Sequence, residues 1–461
     1  MRSAYRSLLL ILLPILACNP LGASLGETTA GVAPSPSSTQ APHAEGEATL
    51  EPPAYVPPQC ENVPLATLPA PTTVAGPTPA PEVNLPITAE QQLRVLTGLV
   101  NAVLEHYVYP NAAGEEWLGK VDEVRSRIEA GLDTEAFYAE MQPLVTALGD
   151  EHSYYQTPVQ VAEEDTSGAY GFVGIGALFN PVDDGAQAAV LAVFDGGPAW
   201  HAGIQPHDAL LAVDGGPIRE LSGRSRTLGP ECSAVVLTIR SPGQEPRDMT
   251  LIRWGVSGYL PIHPGLVPTS DGSRIGYIFL PTLLDESLPD RVRQALEGFG
   301  TLDGLIIDNR MNGGGLGSVS QQILAFFISG HVGDFVTREA VEPLEIEADP
   351  VQNSQEVALV VLVADDTVSY GEITSGILQD LGRARIVGQT TPGNVEQLRR
   401  YDFEDGSRGW LASSRFEPAN AQADWETTGI VPDVEVIAGW DTFTFDTDPA
   451  IAAALVLLGR E

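Results

Sequence analysis

Three patterns of apolar and polar positions follow one another along this chain. Between about residues 88 and 148, apolar residues recur every three or four positions, a spacing that places them on one helix face and predicts a small helical region. Between about residues 168 and 254, short β-rich runs alternate with Gly, Pro and Asp turns, which predicts a compact β domain.

The third pattern begins near residue 274 and alternates strand-like apolar runs with amphipathic helix-like runs. Such alternation predicts an α/β core with largely parallel strand pairing, in which ligands collect outside the carboxyl ends of the strands. The predicted core strands are 275–279, 304–307, 357–363 and 384–388, and the predicted helices are 290–298, 319–328 and 373–381. We therefore expect a multidomain α+β chain with a helical region at 88–160, a β domain at 165–256, an α/β core at 257–445 and a C-terminal helix at 446–461.

The first 87 residues have a different character. Arg2 and Arg6 precede an apolar run at 8–17 that is too short to span a bilayer, which is typical of a secretory signal. The segment that ends at Cys18 resembles the bacterial lipobox, in which the cysteine is lipidated, whereas an ordinary signal peptide would be discarded together with Cys18. Residues 19–87 are rich in Pro, Ala, Thr, Ser and Gly, which predicts a disordered tether. We expect an exported protein, held in the cell envelope by a lipid on Cys18.

Composition limits the classes of partner. The chain has 24 basic and 61 acidic residues, and its formal net charge of −37 repels phosphate backbones and anionic lipid surfaces. We therefore expect no nucleic-acid partner, and membrane contact only through the lipid anchor. Beyond Cys18, Cys60 and Cys232 fit either a disulfide or two free thiols. No Cys, Asp and His cluster surrounds His201 or His207, and we expect no metal and no cofactor.

The most informative segment is 367–373, a turn of mostly small residues between a strand-like run and a helix-like run. It predicts a strand, a tight turn and a helix, with Ser369 at the bend. The N–H group of Tyr370 would then lie at a helix N-terminus, where it can stabilise a developing oxyanion. Ser369 is the candidate nucleophile, and the alternative is a serine that only caps the helix.

Two further segments carry candidate chemistry. His152 lies in the polar loop 148–155 and is either the general base that a serine nucleophile needs or an ordinary surface histidine. The run 308–315 leaves a strand into a glycine-rich turn, where the N–H groups of Gly314 and Gly315 could converge on an oxyanion. It is not a phosphate-binding loop, because no Gly-Lys-Ser/Thr follows the glycines.

Within the β domain, residues 196–208 followed by 213–215 resemble a PDZ domain, in which a short helix precedes a Pro-x-Asp turn and a strand. The resemblance implies a loop whose backbone N–H groups capture the C-terminal carboxylate of a peptide that adds as a strand. A glycine-rich hairpin without a ligand is the alternative. The residues of this candidate peptide-binding loop are Val173, Gly174, Ile175 and Gly176.

Taken in order, these segments resemble the tail-specific, carboxyl-terminal processing proteases and their tricorn-like relatives, over most of residues 88–440. The family has Leu-Gly-Asp-x-His before its PDZ domain, Asp-Leu-Arg-x-Asn-x-Gly-Gly at the oxyanion turn, and a nucleophile that falls on Ser369. Asn309 replaces the usual leucine of the oxyanion turn. The resemblance implies a crotonase-like α/β serine protease core.

The family activates its serine in two ways, and the sequence favours one of them. One branch uses a lysine as general base about twenty-five residues after the nucleophile, but this chain has Asn394 there. The tricorn-like branch uses Ser, His and Glu, with the glutamate just before a Gly-Ile/Val-x-Pro-Asp signature. Residues 429–433 match that signature, so the resemblance assigns His152 as base and Glu426 as the acid that orients it.

We therefore predict an exported serine endopeptidase that recognises C-terminal or unfolded segments of proteins and cuts them by a Ser-His-Glu mechanism. One alternative is a catalytically silent PDZ scaffold that binds protein C-termini in the envelope. Another is an envelope protein that reuses the fold to bind glycans or lipids.

Overall fold

The computed structural model describes residues 55–61, 84–167, 172–182, 186–219, 225–256, 260–420 and 424–460. The predicted signal segment, Cys18 and most of the predicted tether lie outside the described residues.

Four helices and a short strand make up the first folded region, and local capping residues fix where two of the helices begin. Oγ1 of Thr88 accepts a hydrogen bond from the N–H of Gln91 (3.3 Å), and the Gln91 side chain accepts one from the N–H of Thr88 (2.9 Å). Asp133 caps the third helix by accepting from the N–H of Ala136 (2.8 Å). The elements are α1 (Ala89–His106), α2 (Glu115–Glu129), α3 (Thr134–Thr146), β1 (Tyr154–Gln156) and α4 (Pro158–Ser167).

The β-rich region forms a five-stranded antiparallel sheet. Its elements are β2 (Phe172–Gly174), β3 (Ala177–Val182), β4 (Gln187–Val193), α5 (Pro198–His201), β5 (Ala209–Val213), β6 (Ala234–Arg240), β7 (Arg247–Ile252) and β8 (Trp254–Val256). The sheet order is β3-β4-β5-β6-β7, and β2 pairs with β8 separately. One face of β4 packs inside this region and the other, with Ala189 and Leu191, packs on the α/β core. Burial on both faces explains why β4 is apolar throughout.

A six-stranded sheet forms the α/β core. The elements from here to the C-terminus are β9 (Gly265–Val267), β10 (Ile275–Phe279), α6 (Leu288–Phe299), β11 (Gly304–Asp308), α7 (Gly317–Ala325), β12 (Gly330–Val336), β13 (Val341–Ile346), β14 (Leu359–Val363), α8 (Tyr370–Asp380), β15 (Ala384–Gly388), β16 (Glu396–Asp402), β17 (Arg408–Pro418), α9 (Trp425–Thr428), β18 (Val434–Glu435) and α10 (Pro449–Leu457). The sheet order is β18-β15-β14-β11-β10-β9. Only the β9–β10 pairing is antiparallel, in agreement with the expected parallel core.

A second antiparallel sheet is the element that the sequence patterns do not predict. Its order is β1-β17-β12-β13, with β16 also paired to β17. β17 contributes Leu411 and Ala412 to the apolar cluster of α1, α2 and α3, so the helical region shares its core with the later part of the chain. The sheet therefore carries the segment after His152 next to the segment that begins at Glu396.

A buried ion-pair network joins the last part of the chain to β11. The Arg310 guanidinium lies 2.6 Å from a carboxylate oxygen of Asp308 and 2.5 Å from one of Asp448, and it stacks over Trp440. All three charged residues are buried. A buried arginine between two carboxylates leaves uncompensated charge if it is removed.

Cys60 and Cys232 are joined by a disulfide, which decides between the two alternatives that the sequence left open. Five residues earlier, the Tyr55 ring stacks on His201 of α5 with 3.8 Å between ring centroids. Residues 55–61 are thus attached to the β-rich region covalently and by packing.

Arg310→Leu should lower the free energy of unfolding by about 3–5 kcal/mol, because Asp308 and Asp448 would remain buried without their counterion. Urea unfolding followed by circular dichroism measures the loss. Arg94→Leu is the control, since Arg94 pairs with Glu90 and Glu404 at an exposed site and its replacement should cost much less. Equal losses in the two variants would contradict the structural role of the Arg310 network.

Candidate active site

Ser369 sits in a strained turn between β14 and α8. Its backbone has φ +56° and ψ −127°, a conformation that side-chain-bearing residues rarely adopt. The capping residues Thr88 and Asp133 instead have ordinary φ values of −73° and −74°. Simple capping of α8 would not require positive φ, so the strain favours a role for Ser369 in which its orientation matters.

The glycine-rich turn after β11 holds this bend in place. The carbonyl oxygen of Asn312 accepts a hydrogen bond from the N–H of Val368 (3.0 Å), and a Cβ on Gly371 would lie only 2.5 Å from the same oxygen. Nδ2 of Asn309 donates to the Gly371 carbonyl and to Ser375 Oγ, both at 2.8 Å. The asparagine that replaces the usual leucine thus binds the first turns of α8 to β11.

Two of the three predicted oxyanion residues, Gly314 and Tyr370, lie at the same bend. A Cβ on Gly314 would lie 2.8 Å from Ser369 Cβ and 3.0 Å from the Tyr370 nitrogen, so only glycine fits beside the nucleophile. The N–H of Gly314 donates a hydrogen bond to Asn312 Oδ1 (2.9 Å). Of the two predicted glycines, Gly315 therefore remains as the candidate second donor beside Tyr370.

Glu372, one turn into α8, links the nucleophile bend to the segment where related enzymes place a lysine. Its carboxyl group accepts hydrogen bonds from the N–H groups of Ser369 (3.2 Å), Gly393 (2.7 Å) and Asn394 (2.8 Å). The side chain is fully buried. Burial raises the pKa of Glu372 to about 7, and the hydrogen bonds that it accepts oppose this rise.

His152 is buried at the end of a tightly turned loop, not exposed on the surface. Asp150 accepts hydrogen bonds from the N–H groups of His152 (3.1 Å) and Ser153 (2.5 Å), which closes the turn. Ser153 Oγ in turn accepts from the N–H of Ala412 in β17 (2.9 Å). His152 is 4% exposed.

The carboxylate that faces the imidazole belongs to Glu396, at the start of β16. Nδ1 of His152 lies 3.4 Å from Oε2 of Glu396. Within the described part of the chain neither atom has a conventional hydrogen-bond partner. The long contact between them is therefore the polar interaction that each atom makes. The second oxygen, Oε1, accepts from the Tyr109 hydroxyl (3.0 Å). Catalytic hydrogen bonds are often long before substrate binds, and 3.4 Å fits that behaviour.

Glu426 joins this cluster by a contact different from the predicted one. Its carboxyl group interacts electrostatically with that of Glu396 and accepts a hydrogen bond from the N–H of Val395 (3.1 Å). Burial and then the interaction with Glu396 raise the pKa of Glu426 to about 10. Burial would also raise the pKa of Glu396, but the interactions with His152 and Glu426 lower it. The directions of the two pKa shifts favour one proton on this pair of acids, held on Glu426.

Sequence reasoning missed Glu396. No motif or periodicity marks it, since it is one acid among 61 and lies where a strand begins. Its position two residues after Asn394 was the available signal, because that segment has to lie against the nucleophile bend if the fold follows the resemblance.

The candidate peptide-binding loop lies at the edge of the β-rich sheet. Val173 and Gly174 belong to β2 and pair with β8. The carbonyl groups of Ile175 and Gly176 accept from Ala199 (2.7 Å) and Phe194 (3.0 Å), which anchors the loop to α5 and β4. In the described sheet, β3 follows this loop and pairs only with β4.

Two negative findings concern the described residues alone. Across residues 55–460, outside the undescribed gaps, no group of His, Cys, Asp and Glu could hold a metal ion. In the same residues no helix is both long and apolar enough to cross a membrane.

Comparison with known proteins decides the family. The model of peptidase family S41 matches residues 274–436. A carboxyl-terminal-processing protease of Synechocystis is 30% identical over 336 residues, which cover 70% of this chain and 77% of the relative. The chain belongs to peptidase family S41. It is a serine peptidase that acts on protein substrates, and the expected family and enzyme class are confirmed.

Two further S41 relatives agree with this assignment. The chloroplastic carboxyl-terminal-processing peptidase 2 of Arabidopsis thaliana is 29% identical over 342 residues, 71% of this chain and 65% of the relative. The structure of a photosystem II D1 C-terminal processing protease covers 76% of this chain and 94% of its own, with TM-score 0.52 and 22% identity. The structural match shows a shared fold.

Glu426→Gln should change how stability depends on pH. The folded protein keeps the Glu426 proton up to about pH 10, whereas an unfolded chain releases it near the ordinary value of 4.5. The contribution of Glu426 to the free energy of unfolding is therefore fully present at low pH and is lost as pH rises. Glutamine does not titrate, so the variant does not show this loss. We expect the difference in Tm, variant minus wild type, to grow by several degrees from about pH 5 to about pH 8. A constant difference, as expected for exposed Glu90→Gln, would contradict a protonated Glu426.

Proposed function

We propose that this S41 peptidase is an exported endopeptidase in which Ser369 is the nucleophile and His152 the general base. The observation that carries the proposal is the strained Ser369 bend, joined through Glu372 to the segment that presents Glu396 to His152. A serine hydroxyl needs such a base to attack a peptide carbonyl at neutral pH.

In the proposed mechanism, Ser369 Oγ attacks the scissile carbonyl while Nε2 of His152 takes its proton. The tetrahedral intermediate collapses as His152 returns the proton to the leaving amine, and water then hydrolyses the acyl-enzyme by the same steps. The carboxyl pair Glu396–Glu426 keeps the proton of neutral His152 on Nδ1 and stabilises the imidazolium ion. No lysine takes part, because Asn394 occupies that position and its N–H is bound to Glu372.

The N–H groups of Tyr370 and Gly315 are the proposed oxyanion donors. Support for Tyr370 comes from its position at the N-terminus of α8, where the helix dipole favours negative charge. The strained φ of Ser369 is the backbone feature that would turn the hydroxyl toward the same point. Such preorganised donors typically contribute about 3–4 kcal/mol to transition-state stabilisation.

We propose that the β-rich region is a PDZ domain that selects substrates by their C-termini. The open edge of β3 next to the loop of Ile175 and Gly176 supports the proposal that a substrate strand adds there with its carboxylate at the loop. β3 also reaches the protease core, because Nδ2 of Asn180 donates to Asp366 (3.0 Å), three residues before Ser369. Substrate bound along β3 would therefore lie on an element that contacts the nucleophile loop.

Export and lipid anchoring through Cys18 are also part of the proposal. The charged and apolar pattern of residues 1–18 supports them, and the Cys60–Cys232 disulfide favours an oxidising compartment outside the cytoplasm. Labelling with a radioactive fatty acid, followed by electrophoresis, tests the anchor directly. The wild-type protein should carry the label and the Cys18→Ala variant should not.

Ser369→Ala and His152→Ala should each lower kcat on fluorescent casein by at least about 10³-fold, because each removes one member of the attacking pair. Ser318→Ala is the matched control, since Ser318 lies on α7 outside the proposed chemistry. Casein cleavage that survives in Ser369→Ala would contradict the proposed nucleophile.

A peptide with a free C-terminal carboxylate should be cleaved with a kcat/KM at least about tenfold above that of the same peptide with a C-terminal amide. The amide lacks the charge that the proposed loop binds, so KM should carry most of the difference. Equal kcat/KM values for the two peptides would argue against carboxylate capture, and the peptidase assignment would remain in place.

A further inference from the structure

Two glutamates stand where a serine peptidase needs one orienting carboxylate. Glu396 is fully buried and faces His152 Nδ1, whereas Glu426 faces Glu396 and the N–H of Val395. No ion pair within 4 Å joins His152 and Glu426 among the described residues, whereas His152 and Glu396 form one. The two acids therefore differ in position as well as in partner.

The surroundings allow one negative charge in this pair but not two. The Tyr109 hydroxyl donates to Glu396, and Tyr107 and Glu372 also interact electrostatically with the pair. His152 is the only group in this set that can become positive. Two adjacent carboxylates in a buried site repel each other, and the usual result is that they share one proton.

We propose that Glu396 is the residue that orients His152, and that Glu426 is a neutral acid which donates its proton in a hydrogen bond to Glu396. The inference rests on the proposed Ser369–His152 mechanism and gives it a different acid from the one that the family resemblance assigns. Glu396 is a positioning residue, because it acts on substrate only through the imidazole.

Each proton has a defined position in this arrangement. Neutral His152 carries its proton on Nδ1 and donates it toward Oε2 of Glu396, which leaves Nε2 to accept the proton of Ser369. When His152 becomes positive, Glu396 supplies the compensating charge. The Glu426 proton stays on the carboxyl pair throughout, so neither acid exchanges protons with substrate.

Replacement of each acid by glutamine separates the two roles. Glu396→Gln puts an amide in place of the carboxylate, which favours the wrong imidazole tautomer and removes the compensating charge. Glu426→Gln keeps the hydrogen-bonding capacity of a protonated glutamate, since the new amide can donate to Glu396 and accept from the N–H of Val395. The two substitutions change the same number of atoms in adjoining side chains and are matched controls for each other.

Steady-state cleavage of fluorescent casein is the test. We expect Glu396→Gln to lower kcat by about 10³–10⁴-fold with KM within about threefold, and Glu426→Gln to lower kcat by about tenfold or less. Loss of kcat without loss of casein affinity is a result that general damage to the fold would not give. The thermal transition of each variant, measured in parallel, confirms that the compared proteins are folded.

Three results would overturn the inference. A larger loss in Glu426→Gln than in Glu396→Gln would assign the orienting role to Glu426. Equal large losses would contradict a neutral Glu426, and small losses in both would remove the positioning role from Glu396. In each of these cases Ser369→Ala still abolishes cleavage, so the proposed nucleophile stands.

Carbon-13 NMR of protein labelled at the glutamate carboxyl groups provides a second readout that needs no activity and no folded Glu396 variant. In wild type at about pH 8 one buried carboxyl should give the chemical shift of a protonated acid, and Glu426→Gln should abolish that signal. A signal that disappears in Glu372→Gln instead would assign the proton to Glu372 and overturn the inference. If wild type and Ser369→Ala cleave casein equally, the proposed nucleophile fails while this NMR result still decides where the proton lies.

Discussion

The proposed active site depends on one buried carboxyl group that joins two backbone segments. Glu372 accepts hydrogen bonds from the N–H groups of Ser369, Gly393 and Asn394. Without these bonds, the strained bend at Ser369 and the loop that leads to Glu396 would have no polar contact to compensate their buried amides. Because an interaction of this kind fixes backbone and not only side-chain positions, it sets the geometry in which the nucleophile and the imidazole–carboxylate pair can act together.

In the proposed mechanism the segment at 393–394 has a structural role and supplies no lysine base. The loop after Gly393 keeps its attachment to the nucleophile bend, but the residue at the lysine position contributes a backbone N–H. The second antiparallel sheet brings in the proposed base, because β1 and β16 both pair with β17 and place His152 and Glu396 at neighbouring ends. The proposed base thus comes from the N-terminal helical region, which shares its apolar core with β17.

Sequence reasoning predicted the elements whose patterns are local and left out the pairings that are not. The strong alternation after residue 274 predicted the parallel core, and the small-residue turn around Ser369 predicted a bend into α8, both of which the structure has. The antiparallel sheet went unpredicted because β17 draws partners from strands up to about 250 residues away, and no local pattern encodes such distant pairing. For the same reason the resemblance pointed to Glu426, whereas the contact between Glu396 and His152 could not be recognised from the sequence.

Activation of the strained Ser369 hydroxyl by His152 can be measured by covalent labelling. Purified protein would be treated with a fluorophosphonate, digested, and examined by mass spectrometry to locate and time the adduct. We expect a single adduct on Ser369, formed at least about 10²-fold more slowly in His152→Ala. An adduct on another serine, or an equal rate of Ser369 labelling in the two proteins, would contradict it.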